Sequence, residues 1–105
     1  MIHHIENERI LSEVLNNDKL VIVDFFATWC EPCKMYTPIL RTTSEKYSDR
    51  LDIFKVDVDE SQNIAMRYNI TSMPTLIFFR DGEEVERQVG LLNEEKLEKI
   101  IQELI

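Results

Sequence analysis

The sequence predicts an α/β fold: a single mixed β-sheet, half parallel β-α-β and half antiparallel hairpin, flanked by helices. Three observations carry this. The run Leu20-Val21-Ile22-Val23-Asp24-Phe25-Phe26-Ala27 has the length and Val/Ile/Phe content of a strand covered on both faces. A helical stretch and a second strand follow it, at the length of a right-handed parallel unit. Two later strands meet at Asp81-Gly82, a two-residue hairpin signal.

Composition sets the frame. At 105 residues the chain suits one domain over 1–105, with a real core but no room for two. A net charge of −8 argues against a nucleic-acid surface. No run approaches the length of a membrane span. The start, Met1-Ile2-His3-His4-Ile5-Glu6, lacks a charged segment followed by an apolar one, so the chain is expected to be cytoplasmic. Thiols stay reduced there, and a lone cysteine pair is expected to be catalytic.

The elements follow in order. Ile10, Leu11, Val14 and Leu15 recur at helical spacing, predicting an amphipathic helix over about residues 7–17, ended by Asn16-Asn17-Asp18. The apolar strand covers 20–27. The next helix begins near the cysteines, where Pro32 suits the first turn because no helical partner awaits its missing N–H. Met35, Ile39, Leu40, Thr43 and Tyr47 are expected on its buried face, and Pro38 is expected to kink it. Residues 52–58 alternate as a strand. Ser61 is expected to cap a short helix through about Tyr68, with Asn69 left-handed at its end. Residues 75–80 and 83–89 form the hairpin, and Gly90 ends it. Asn93 caps a last helix whose Leu97, Ile100, Ile101 and Leu104 follow the i, i+3, i+4, i+7 rule.

The chemistry lies in Trp29-Cys30-Glu31-Pro32-Cys33-Lys34, which holds both cysteines of the chain. A Cys-x-x-Cys between a buried strand and a helix reads as a redox site. Cys30 at the helix N-cap would face unpaired N–H groups and the positive dipole end, which favour its thiolate. Cys33, one turn in, is expected to be more buried and to hold its proton longer. Cys30 then attacks a substrate disulfide, and Cys33 resolves the mixed disulfide. Against this stand a structural disulfide and half of a zinc site. Zinc needs two more ligands, and only His3-His4, on an end expected to fray, offers a pair. No metal is expected.

Asp24 is the one charge in the apolar strand. Burial without full pairing would raise its pKa and make it a proton acceptor for Cys33, with Lys55 a candidate partner. A strand-edge carboxylate in water is the competing reading. Pro74 stands where a cis bond can form, which would leave Met73 backbone groups for an extended substrate. A trans proline opening a strand is the commoner state. Trp29 reads as a partner contact or a half-buried packing residue.

These segments, in this order, resemble the thioredoxin family from about residue 5 to the end. The most specific are Val23-Asp24-Phe25-Phe26-Ala27-Thr28-Trp29-Cys30-Glu31-Pro32-Cys33-Lys34, Met73-Pro74-Thr75-Leu76 and Val89-Gly90. The resemblance implies a thioredoxin-like fold and reduction of protein disulfides. It implies Cys30 as nucleophile, Cys33 as resolving cysteine, and Asp24 as the buried carboxylate with Lys55 nearby. It implies a cis Pro74 facing the cysteines, and Trp29, Met73 and Gly90 at the substrate groove; Glu31 and Pro32, between the cysteines, are expected at the same docking surface. It implies no bound cofactor beyond the Cys30–Cys33 couple, a monomer, and recharging by a thioredoxin reductase linked to NADPH or ferredoxin. A specialist serving one partner pathway and a non-redox binding module are the competing functions.

The chain departs from the family in three places: Glu31 where Gly is usual, Phe26 where Trp is usual, and no glycine in Asn69-Ile70-Thr71-Ser72-Met73. Only the first touches the chemistry. At ~6 Å and an effective dielectric of ~40–80, a carboxylate repels the Cys30 thiolate by roughly 0.7–1.4 kcal/mol. That makes the couple more reducing by up to ~30 mV.

Overall fold

The computed structural model describes residues 2–105. Strands β1 (Ile2–His4), β2 (Leu20–Phe26), β3 (Leu51–Asp57), β4 (Thr75–Arg80) and β5 (Glu83–Val89) form one sheet in the order β1-β3-β2-β4-β5. Helices α1 (Glu8–Leu15), α2 (Glu31–Lys46), α3 (Gln62–Arg67) and α4 (Glu94–Leu104) cover it. β2 is central, parallel to β3 and antiparallel to β4, and all seven of its residues are buried. That position explains its near-continuous apolar run.

Alternation along β2 decides which side chains meet which helices. Leu20 and Ile22 join Tyr36 and Leu40 of α2 and Leu97 and Ile101 of α4 in one core. Val21, Val23 and Phe25 join Leu11 and Leu15 of α1 and Ile64 of α3 in the other. Asp24 therefore lies on the α2 face. The β2–β3 register places it directly beside Lys55.

Local chemistry sets the element ends. Asn7 caps α1 by accepting from the Ile10 amide at 2.9 Å, and Asn93 caps α4 by accepting from Lys96 at 2.8 Å. Asp81 (φ 53°) and Gly82 (φ 82°) take the left-handed conformations that a two-residue hairpin requires. Asn69 is left-handed after α3, at φ 56°.

Several expectations are corrected. Residues 2–4 form an edge strand along β3, continued by an Ile5 N–H to Lys55 O bond of 2.8 Å, so His3 and His4 are not a frayed end. Three residues are too few for a periodic signal, and the order comes from the neighbouring edge. His4 stacks edge-on against Phe26, and His3 tilts against Phe54. The Ser61 hydroxyl makes no cap bond and instead donates to Glu6 O at 3.3 Å. Met35 is 60% exposed; the buried stripe of α2 is Cys33, Tyr36, Leu40, Thr43 and Ser44, which starts from the neighbouring helical position. Pro38 lies inside α2, as expected, and the helix runs on to Lys46.

Candidate active site

The site stands where β2 ends and α2 begins. Cys30 is the N-cap of α2, in extended conformation (φ −89°, ψ 109°), and its Sγ accepts from the Cys33 amide at 3.2 Å. A sulfur replaces the usual cap oxygen and satisfies one of the orphan donors of the first turn. Cys30 and Cys33 are joined as a disulfide, with Cα atoms 5.3 Å apart. Their exposures are 4% and 3%, so the expected difference in burial is not what separates them. The asymmetry lies in the hydrogen bond: the helix amide points at the Cys30 sulfur.

The opposite wall is the turn before β4. The Met73–Pro74 bond is cis, the less common state for such a bond. The Met73 carbonyl oxygen lies 3.6 Å from Cys30 Sγ. Gly90 (φ 89°) is tied to this turn, its N–H donating to Pro74 O at 2.8 Å. Phe26, Ala27 and the two cysteines form a small apolar cluster with Val58 and Met73 packed on it. Trp29 is 65% exposed but held, its indole N–H donating to Asp59 Oδ2 at 2.9 Å. It is exposed rather than half-buried, with a fixed orientation. Glu31 is exposed and pairs with Lys34 Nζ at 2.9 Å, while Pro32 occupies the first turn beside it.

Asp24 is wholly buried, and neither carboxyl oxygen has a hydrogen-bond partner among the described residues. Lys55 Nζ stands 3.9 Å from Oδ2, too far to hydrogen-bond. Burial therefore outweighs the attraction of Lys55, and the carboxyl pKa is pushed up to about 7. The Lys55 ammonium lies over the Phe26 ring, 4.4 Å from its centroid. It also lines an open cavity with Ile2, His4, Thr37 and Arg41, so the cation keeps contact with solvent that the carboxylate lacks. Among the described residues, no group of three or more His, Cys, Asp or Glu side chains is placed to hold a metal ion, and no helix is long and apolar enough to cross a membrane.

Sequence reasoning missed two residues here. Asp59 reaches Trp29 across 30 residues, and no local pattern marks such a pairing. Tyr36 was legible: with Leu40, Thr43 and Tyr47 it keeps the i, i+4, i+7 spacing of a buried face.

The family model for thioredoxin matches residues 1–103. The chain belongs to the thioredoxin family. It is 46% identical over 107 residues to the thioredoxin of Ovis aries, covering both chains completely. It is 41% identical over 104 residues to Thioredoxin-T of Drosophila melanogaster, a match that takes in 97% of this chain and 66% of that one. Among solved structures, a mutant thioredoxin from Halobacterium salinarum NRC-1 superposes with a TM-score of 0.91 at 36% identity, over 97% of this chain and 88% of that one. Thioredoxin-family members are disulfide reductases. With its cysteine pair at the strand-to-helix junction, this chain is a thiol–disulfide oxidoreductase.

Proposed function

We propose that this thioredoxin-family chain reduces protein disulfides, with Cys30 as nucleophile and Cys33 as resolving thiol. The observation that carries the reading is the Cys33 amide aimed at Cys30 Sγ on the helix N-terminus. In the dithiol form that amide and the helix dipole stabilise the Cys30 thiolate. The thiolate attacks one sulfur of the substrate disulfide, forms a mixed disulfide and expels the other sulfur as a thiolate. Cys33 then loses its proton to Asp24 and attacks Cys30 Sγ. The second substrate sulfur leaves, and the Cys30–Cys33 disulfide forms. Two electrons pass from the cysteine pair to the substrate. A pKa of about 7 suits Asp24 to accept a proton at neutral pH. Lys55 limits the penalty of charging it.

Trp29, Glu31, Pro32, Met73 and Gly90 border the groove that receives the substrate, and Met73 offers its backbone for strand-like pairing. Residues 1–105 work as one domain, a cytoplasmic monomer with no cofactor beyond the cysteine couple. A thioredoxin reductase returns the two electrons. Insulin reduction coupled to an NADPH-linked or a ferredoxin-linked reductase tests this reading. Turnover is expected with one of them. Failure to reduce insulin, even when the pair is kept reduced by dithiothreitol, would sink it.

Glu31 tunes the couple modestly. Its charge raises the energy of the Cys30 thiolate, and the ion pair with Lys34 offsets part of that effect. Glu31→Gln is expected to make the potential less negative, by no more than ~30 mV. Equilibration in glutathione buffers measures it, and an unchanged or more negative value would contradict the assignment. Lys34→Gln is expected to move the potential the other way.

A further inference from the structure

Tyr36 lies three residues beyond Cys33, and its side chain is fully buried in the core beneath α2. A buried phenol must find partners for its hydroxyl. Here both belong to the backbone of the segment between β5 and α4. The hydroxyl accepts from the Leu92 N–H at 2.7 Å and donates to the Gly90 carbonyl at 3.2 Å. The roles are unambiguous, since an N–H can only donate and a carbonyl can only accept.

Residues 90–93 lie outside helix and strand, so no ladder serves these two groups. Gly90 is also tied on its other side, through its N–H to Pro74 O at 2.8 Å. One segment is thereby pinned to two parts of the site: to the turn facing the cysteines through Gly90 N, and to the cysteine-bearing helix through the Tyr36 hydroxyl.

We infer that Tyr36 is a positioning residue, whose hydroxyl holds the Gly90–Leu92 wall of the substrate groove at a set distance from the active-site helix. The inference rests on the reading of Gly90 as part of that groove. Tyr36 touches neither sulfur nor substrate, and acts only through the wall. Its ring fills the core, while its hydroxyl sets the loop. Tyr36→Phe separates the two, keeping the packing and leaving the Leu92 N–H and Gly90 carbonyl without their partner.

Steady-state kinetics of Tyr36→Phe, coupled to a thioredoxin reductase, test this with two substrates. For insulin, which must lie in the groove, KM is expected to rise roughly 3- to 10-fold with kcat unchanged, the range carried by one lost hydrogen bond. For dithiobis-nitrobenzoate, too small to span the groove, the rate is expected to stay the same. The Cys30–Cys33 potential is also expected to hold. An unchanged KM for insulin overturns the inference, and so does an equal loss with both substrates, which marks a merely structural role. Trp29→Ala is measured alongside, because it alters the groove without touching Tyr36. A raised KM for Trp29→Ala beside an unchanged one for Tyr36→Phe overturns the inference and leaves the groove standing. Unchanged KM in both variants removes the groove reading, and the inference falls with it.

Discussion

Cys30→Ser is expected to abolish disulfide reduction, and Cys33→Ser to leave the first step intact and stop the second. The difference follows from the N-cap geometry. The amide of Cys33 points at Cys30 Sγ and would stabilise negative charge there, whereas among the described residues no such donor is aimed at the Cys33 sulfur. A serine hydroxyl at position 30 cannot attack a disulfide at neutral pH, so turnover should fall by roughly 10³-fold or more, the scale of losing a covalent nucleophile. Cys33→Ser keeps the attacking thiolate but has no thiol to resolve the product. It should accumulate mixed disulfides with its substrates. Non-reducing electrophoresis after incubation with oxidised protein substrates reads this directly. If Cys30→Ser traps substrates and Cys33→Ser does not, the two roles are reversed.

Asp24→Asn is expected to remove a pH dependence of stability that the parent chain carries. The unfolded carboxyl titrates at its ordinary value of 3.8, the folded one at about 7. The native state therefore holds its proton more tightly than the unfolded chain. Between these values the unfolded state has released a proton that the native state keeps, so stability falls as pH rises. Relative to acid, the loss is complete above pH 7 and amounts to roughly 4 kcal/mol at most. The variant has nothing to titrate at this position. It should gain up to a few kcal/mol on the parent at about pH 8 and little at about pH 4. Asp24→Ala, which adds no buried amide, should show the same trend. Urea unfolding at the two pH values measures it. An identical pH slope in parent and variants would show that the carboxyl is not held in this state. On the role proposed for Asp24, the activity should change in the opposite sense: without a proton acceptor for Cys33, kcat falls and its inflection near pH 7 disappears.

Much of the architecture was legible because it is local. A run of apolar residues with a single Asp marks a strand buried on both faces. A cysteine one residue before the first turn, with a proline inside it, marks a helix start. Asp81-Gly82 marks a tight hairpin because few other pairs adopt two left-handed conformations in a row. Each signal lies within a handful of residues, where backbone sterics and hydrogen bonding act without help from the rest of the chain. The cis state of Pro74 was different. The residues alone favoured trans, and only the resemblance to a family pointed to cis. Met35 was misplaced because a helix turns about 100° per residue, so a small error in choosing the buried stripe moves a side chain from core to surface.

The sequence by itself determined the cysteine pair, the strand that presents it and the helix that follows it, and it marked Asp24 as a candidate buried acid. Tertiary structure alone decided how those parts are held. β1 is a strand only because the edge of β3 is there to pair with it. Trp29 is oriented by Asp59, and Tyr36 reaches Gly90 and Leu92 across 54 and 56 residues. Asp24 lacks a hydrogen bond because Leu76 stands across from it on β4 and the ammonium of Lys55, its neighbour on β3, lies 3.9 Å away, just beyond hydrogen-bond reach. The physical reason is the same in each case. Propensity and spacing act along the chain, whereas desolvation and long-range hydrogen bonds depend on which distant segments fold against one another.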